Sequence, residues 1–318
     1  TAADTTGAAV DTVTATVTGA TSSTADGSYK AGGTISIQVA FSQAVTVTGT
    51  PLLTLETGTT DRAASYASGS GTSTLTFTYT VQAGDTSADL DFASATALAL
   101  NGGSIVDGAG NAATLTLATP GATGSLGANK AIVIDTTAPT LGAAALTAAT
   151  DSGSSSTDGI TNAANPAFSL TVGEAGLTLE LLRGTTVVAT ATSTAGTNTL
   201  THTGAAEGTG LSYTVRATDA AGNQTTSNAV TVTIDRTAPT ISDVANQTIE
   251  EDAGTGALSV TVGDGVTAAG AVQLTRGSGN TTLVADSAVV LGGSGASRTV
   301  TVTPTGNQFG SAVITLTV

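Results

Sequence analysis

The loop DGAGN runs from Asp107 to Asn111, and the loop DAAGN runs from Asp219 to Asn223. Each is followed further on by nearly the same linker, IDTTAPT at 134–140 and IDRTAPT at 234–240. A turn makes use of Gly and Asn, which tolerate left-handed backbone. It has no need of the loop Asp, nor of a second Asp in the linker. Carboxylates and amides recurring at fixed places supply oxygen, and oxygen is what a hard cation takes as ligand.

Strand order decides whether these residues meet. In an immunoglobulin-like sandwich the chain enters at one end, and the B–C and F–G loops lie at that same end. The linker entering the second repeat carries Asp135, strand B at about 166–172 leads into GEAG with Glu174, and strand F at about 211–218 leads into Asp219 and Asn223. The topology thus gathers Asp135, Glu174, Asp219 and Asn223. The third repeat offers a weaker equivalent in Asp235, Asp264 and Asn307, since its loop TPTGNQFG has no Asp. The first is a partial match: Asp11, Asp107 and Asn111, with Gln43 in the carboxylate position. Three carboxylates in one small volume repel each other, and a calcium ion with 6–8 oxygen ligands relieves this. The other end of each repeat is also acidic, with Asp151 and Asp158 in DSGSSSTDGITN and Asp85, Asp89 and Asp91 in GDTSADLDF. The plain alternative is that these Asp and Asn residues only shape turns.

The elements that position the loops read as strands. Period-2 alternation puts Ile35, Ile37, Val39 and Phe41 on one face, and likewise Leu75, Phe77, Tyr79 and Val81, then Ile132 and Ile134. The second repeat has Phe168, Leu170 and Val172; Leu177, Leu179 and Leu181; Leu211, Tyr213 and Val215; Val230, Val232 and Ile234. In the third, ALSVTV, TTLVA, SAVVL, RTVTVTP and SAVITLTV follow the pattern. Only SATALALNGG suggests a turn of helix. Asp135 and Asp235 lie one hundred positions apart, as do Pro139 and Pro239, a spacing that suits one sandwich per repeat. The expectation is an all-β chain of three sandwiches in tandem, forming an extended rod: a tail at 1–9, then 10–139 with insertions, 140–239 and 240–318.

Composition narrows the function. The 318 residues include no Cys, Met or Trp, and aromatic residues make up 3%. With 23 acidic residues against 8 basic, nucleic acid is not expected as a partner. No apolar run approaches the ~20 residues of a membrane helix, so membrane insertion by this segment is not expected. The start, TAADTTGAAVD, reads as a piece cut from something longer. A single His, His202, and no Cys leave no His-based triad or thiolate zinc site. His202 is expected to face solvent, and Tyr213 to pack as the tyrosine of an F strand. Asn223, Asn246 and Asn280 open N-x-T sequons.

The stretches SSTADGSYKAGGTISIQVAFSQAVTVTGTPLLTLETG and DSGSSSTDGITNAANPAFSLTV, with YTVRATDAAGNQT and VTIDRTAPT, resemble tandem Ig-like repeats of giant bacterial surface proteins such as large repeat adhesins and biofilm-associated proteins. ISDVANQTIEEDAGTGALSVTVGD with SRTVTVTPTGNQFGSAVITLTV is similar to their cadherin-like repeats. The resemblance implies an extracellular, cell-surface location, extension by stacking and calcium at the junctions. The expected function is a non-catalytic structural or adhesive segment of a bacterial surface adhesin. Its partners would be other copies or repeats of the same protein, or a host or matrix glycan or protein. The alternative is a subunit of a self-assembling filament, sheath or surface layer, joined by strand addition.

Overall fold

The computed structural model describes residues 11–153 and 155–318; the expected tail at 1–9 lies outside them. Among the described residues the fold is all-β apart from two short helical turns. Its contacts divide it into two compact units, Thr1–Ala144 with Ser169–Leu200 and Thr214–Asn228, and Ala145–Phe168 with Thr201–Tyr213 and Ala229–Val318. The strands Ala167–Val172 and Gly208–Thr218 each run from one unit into the other.

In the first unit the large sheet has the order Val17–Ser22, Thr34–Thr48, Thr72–Thr80, Arg62–Ser68, Leu52–Leu55, Leu98–Ala99. A three-stranded sheet sets Ile132–Asp135 parallel to Gly27–Tyr29 and antiparallel to Thr86–Ser87. Both sheets feed one core, because their β-branched and aromatic residues alternate inward. Ile35 pairs with Tyr79, Ile37 with Phe77 and Val39 with Leu75, so buried residues meet buried residues across the ladder. The register breaks between Ala40 and Val45, after which Thr34–Thr48 also pairs with Ser104–Asp107. That irregularity carries Gln43 beside the DGAGN loop. The hairpin Thr178–Arg183 with Thr186–Thr192 also belongs to this unit.

In the second unit Val230–Ile234 lies between Ile160–Thr161, which runs parallel to it, and the start of Gly208–Thr218, which runs antiparallel. Further along, the order is Thr240–Ile241, Leu258–Gly263, Ser297–Val302, Val289–Ser294. A separate two-stranded sheet pairs Thr275–Ser278 with Ile314–Thr317. Val260, Val262, Val289 and Val300 centre the core here.

Two local readings change. TTLVA is a turn: Asn280 accepts from Leu283 N through Oδ1 (3.2 Å) and from Val284 N through its carbonyl (2.9 Å). Leu283 and Val284 are buried all the same; a short apolar run does not tell strand from turn. A four-residue helix at Leu126–Asn129 had no periodic signal to show, being one turn long. It is capped by Ser125 Oγ, which accepts from Ala128 N at 3.1 Å. SATALALNGG makes a turn and then the short strand Leu98–Ala99.

With so few aromatic residues, each buried ring matters. Phe77→Ala is expected to lower stability by about 3–5 kcal/mol, read as a shift of the urea midpoint. Phe309→Ala, at a side chain 95% exposed, should leave the midpoint within about 0.5 kcal/mol.

Candidate functional site

The linker aspartates share one local device. Asp11 Oδ1 accepts from Val13 N at 2.9 Å, Asp135 Oδ1 from Thr137 N at 2.9 Å, and Asp235 Oδ1 from Thr237 N at 3.0 Å. Each Asp thus closes a turn on the residue two positions on.

The two repeated loops are built alike. Asp219 Oδ1 accepts from Asn223 N at 2.8 Å, and Gly222 N donates to Asp219 O at 3.2 Å. Gly222 has φ +88°, a conformation that favours glycine. The side-chain amide of Asn223 then donates twice, to Asp219 Oδ2 and to the carbonyl of Asp135, both at 2.9 Å. In the other copy Asn111 Nδ2 donates to Asp107 Oδ2 at 2.9 Å and to the carbonyl of Asp11 at 3.1 Å. The loop Asp therefore braces the loop, and the Asn carries that brace to the incoming linker. We call this contact the seam.

The structure thus brings Asp135, Asp219 and Asn223 together, and Asp11, Asp107 and Asn111 likewise. Glu174 is exposed, and its carbonyl accepts from Ser193 Oγ at 2.9 Å. Gln43, which the sequence offers as a substitute for a carboxylate, is a donor: its Nε2 reaches Val13 O at 2.9 Å and Asp107 Oδ2 at 3.2 Å. A residue that sequence reasoning missed is Lys30, whose Nζ donates to Gly222 O at 2.8 Å across 192 positions of chain. In the third repeat the two acids are each bonded within their own turn, Asp235 to Thr237 N as above. Asp264 Oδ1 accepts from Val266 N at 2.8 Å and Thr267 N at 2.6 Å. Asn307 is exposed, and its N–H meets Asp252 Oδ1 at 2.9 Å, so its partner here is Asp252.

The acids at the opposite end of the first repeat are mostly saturated. Asp85 is buried and accepts from Tyr79 Oη (2.6 Å), Arg62 Nε (2.8 Å) and Gln82 N (2.9 Å). Asp91 is buried and accepts from the N–H groups of Phe92, Gly121 and Leu126. Asp89 is exposed. Asp158 Oδ1 accepts from Ile160 N at 3.0 Å. Among the described residues no group of three or more His, Cys, Asp or Glu is arranged to hold a metal ion. His202 is half-buried, with Nδ1 2.9 Å from the hydroxyl of buried Tyr213, whose ring packs on Phe168 at 4.5 Å.

Hydrogen bonds set the acidities. Burial pushes the Asp85 carboxyl up, but the bonds from Tyr79, Arg62 and Gln82 outweigh it and hold the group below the ordinary carboxylate value. The Asn111 side chain is the main cause of lowering at Asp107, and the Thr267 N–H at Asp264. A group with a depressed folded-state pKa stabilises the fold above its unfolded value and loses that contribution as pH falls toward the folded value. Melting temperature should therefore hold from pH 7 to about 5 and drop below about 4, the unfolded Asp value. Asp85→Asn should flatten part of that acid limb. For the seam, Asn223→Asp replaces a donor by a carboxylate facing Asp219. It should destabilise the chain by about 1–3 kcal/mol and speed hydrogen exchange of the linker amide at Thr137.

Residues 137–236 match the family model of the bacterial Ig-like domain. A structure described as "Biofilm associated protein - BSP domain" aligns over 94% of this chain and 63% of its own, at 14% identity and a TM-score of 0.21. This chain therefore spans under two thirds of that structure's length, and the score is too low for a shared overall arrangement. No curated protein matches the chain. The matched segment runs from Thr137 in one linker to Arg236 in the next, so it coincides with one period of the repeat seen in the sequence.

Proposed function

We propose that the chain is a non-catalytic segment of a bacterial surface adhesin, stiffened where each linker meets the sandwich it enters. The observation that carries this reading is the repeated seam, in which Asn111 reaches the carbonyl of Asp11 and Asn223 that of Asp135. A chain that twice spends a buried or half-buried Asp–Asn pair on holding its own linker is organised to resist bending there. No helix among the described residues is long and apolar enough to cross a membrane. We infer a cell-surface location, which the match of residues 137–236 to the bacterial Ig-like domain supports. The partners we infer are neighbouring repeats or copies of the same protein, or matrix glycans and proteins.

Calcium is the second part of the proposal. Asp135, Glu174, Asp219 and Asn223 would hold it at the first seam, and Asp235 and Asp264, with Asn307 contributing less, at the second. What supports it is an all-oxygen donor set, with Asp135, Asp219 and Asn223 gathered at one seam. A partial site of the same kind falls at Asp11, Asp107 and Asn111, where Gln43 already donates to the acid. Sites of this type bind at about 10⁻⁴–10⁻³ M, so millimolar calcium would stabilise by only about 0.4–1.4 kcal/mol per site. Its larger effect is to hold the linker.

Calorimetric titration of calcium into chelator-stripped protein tests this. Binding at millimolar concentration should weaken more in Asp219→Ala than in Asn307→Ala, because the former removes a charge. Millimolar calcium should also restore much of the stability lost in Asn223→Asp, since the added carboxylate becomes a ligand. If no heat is seen and Asn223→Asp is not rescued, the seams hold by hydrogen bonds alone. A second reading, a subunit of a polymer joined by strand addition, is favoured by Ile314–Thr317, whose sheet has only the one other strand. Regular filaments of the purified protein in electron micrographs would select it.

A further inference from the structure

Four aspartates are buried among the described residues: Asp85, Asp91, Asp107 and Asp151. The first three each receive at least three hydrogen bonds to their carboxylate oxygens. Asp151 is 5% exposed and receives one, from Gly159 N to Oδ2 at a long 3.2 Å. Its Oδ1 is buried with no hydrogen-bond partner. The ion pairs in the structure, Arg62–Asp85, Lys130–Asp26 and Arg216–Glu180, do not include it. A buried carboxylate in this state costs several kcal/mol.

We propose that Asp151 Oδ1 is the buried ligand of a calcium ion held where the loop beginning at Asp151 closes against Asp158 and Gly159. The one donor to Asp151 is the N–H of Gly159, the residue next to Asp158, so the second carboxylate is carried on the adjoining backbone. Asp158 uses Oδ1 to accept from Ile160 N, which leaves Oδ2 for an ion. Calcium suits the place because every donor at hand is oxygen, and it accepts irregular coordination where magnesium demands a near-ideal octahedron. The loop ends at Thr161, whose carbonyl accepts from Asp235 N at 2.8 Å, so an ion here also anchors the strand that leads into the next linker. None of the seam residues takes part, and the site stands or falls separately from them.

The test is calcium titration by calorimetry, with thermal melts in calcium and in chelator, on the full chain and on Asp151→Asn, Asp158→Asn and Asp219→Ala. Wild type should bind one calcium that Asp151→Asn loses completely, that Asp158→Asn binds at least tenfold more weakly, and that Asp219→Ala keeps. In chelator Asp151→Asn should melt at or above wild type, having shed an uncompensated charge, and calcium should reverse that order. An unchanged stoichiometry in Asp151→Asn overturns the proposal, as does a wild-type melt indifferent to calcium. Should Asp151→Asn fail to fold, hydrogen exchange of Gly159 and Ile160 in wild type decides: calcium-dependent protection supports the site, and its absence overturns it.

Discussion

An asparagine side chain carries two N–H hydrogens on one nitrogen, and the seams depend on both. At Asn223 one hydrogen goes to the loop acid Asp219 and the other to the carbonyl of linker residue Asp135. The loop acid is bonded in turn to the backbone N–H of the same Asn. Loop shape and linker position are therefore one network, and neither is set without the other. An Asp in place of the Asn would supply no donor, and a Lys would supply charge without the planar geometry that lets one group address two acceptors. This explains why the chain spells the acid and the amide together, four positions apart, and why a linker Asp accompanies them.

The same logic of supply governs the other acids. The chain has 23 acidic residues and 8 basic ones, so ion pairing cannot satisfy most carboxylates. Backbone N–H groups take over: Asp91 is held by three of them, at Phe92, Gly121 and Leu126. Such bonds satisfy a carboxylate's oxygens without a second charge to desolvate. Among the buried acids of the described residues Asp85 does use a side-chain cation, and there Arg62 is joined by Tyr79 and Gln82.

Much of the fold was legible because each strand has one buried face. The alternating sets Ile35–Phe41, Leu75–Val81 and Phe168–Val172 are all buried in the structure. TTLVA was not legible, since a turn capped by Asn280 can bury Leu283 and Val284 as a strand would. At the site, the meeting of Asp135, Asp219 and Asn223 followed from strand order alone. What the sequence could not convey is the direction of the hydrogen bonds. Gln43 reads as a missing carboxylate, yet it acts as a second donor to Asp107, placed by the register break after Ala40. Lys30 reads as a solitary surface base, and only the folded chain shows its ammonium on Gly222. Asn307 sits in a loop without the Asp that would brace it, and it is taken up by Asp252 instead.

These cases separate two uses of one residue type. Where donors are abundant, as at Asp107 with Asn111, Gln43 and two backbone N–H groups, the acid is a structural brace whose oxygens are already satisfied. An ion arriving there must displace bonds of about 1.5–3 kcal/mol each. Where donors run short, as at Asp151 Oδ1, a cation adds what the chain lacks and displaces little. The order in which calcium would populate such places is therefore set by donor supply rather than by the number of acids. The loop that matches the repeated Asp–Asn pattern best is on this ground the poorer ligand, and the buried acid with one long hydrogen bond is the better one.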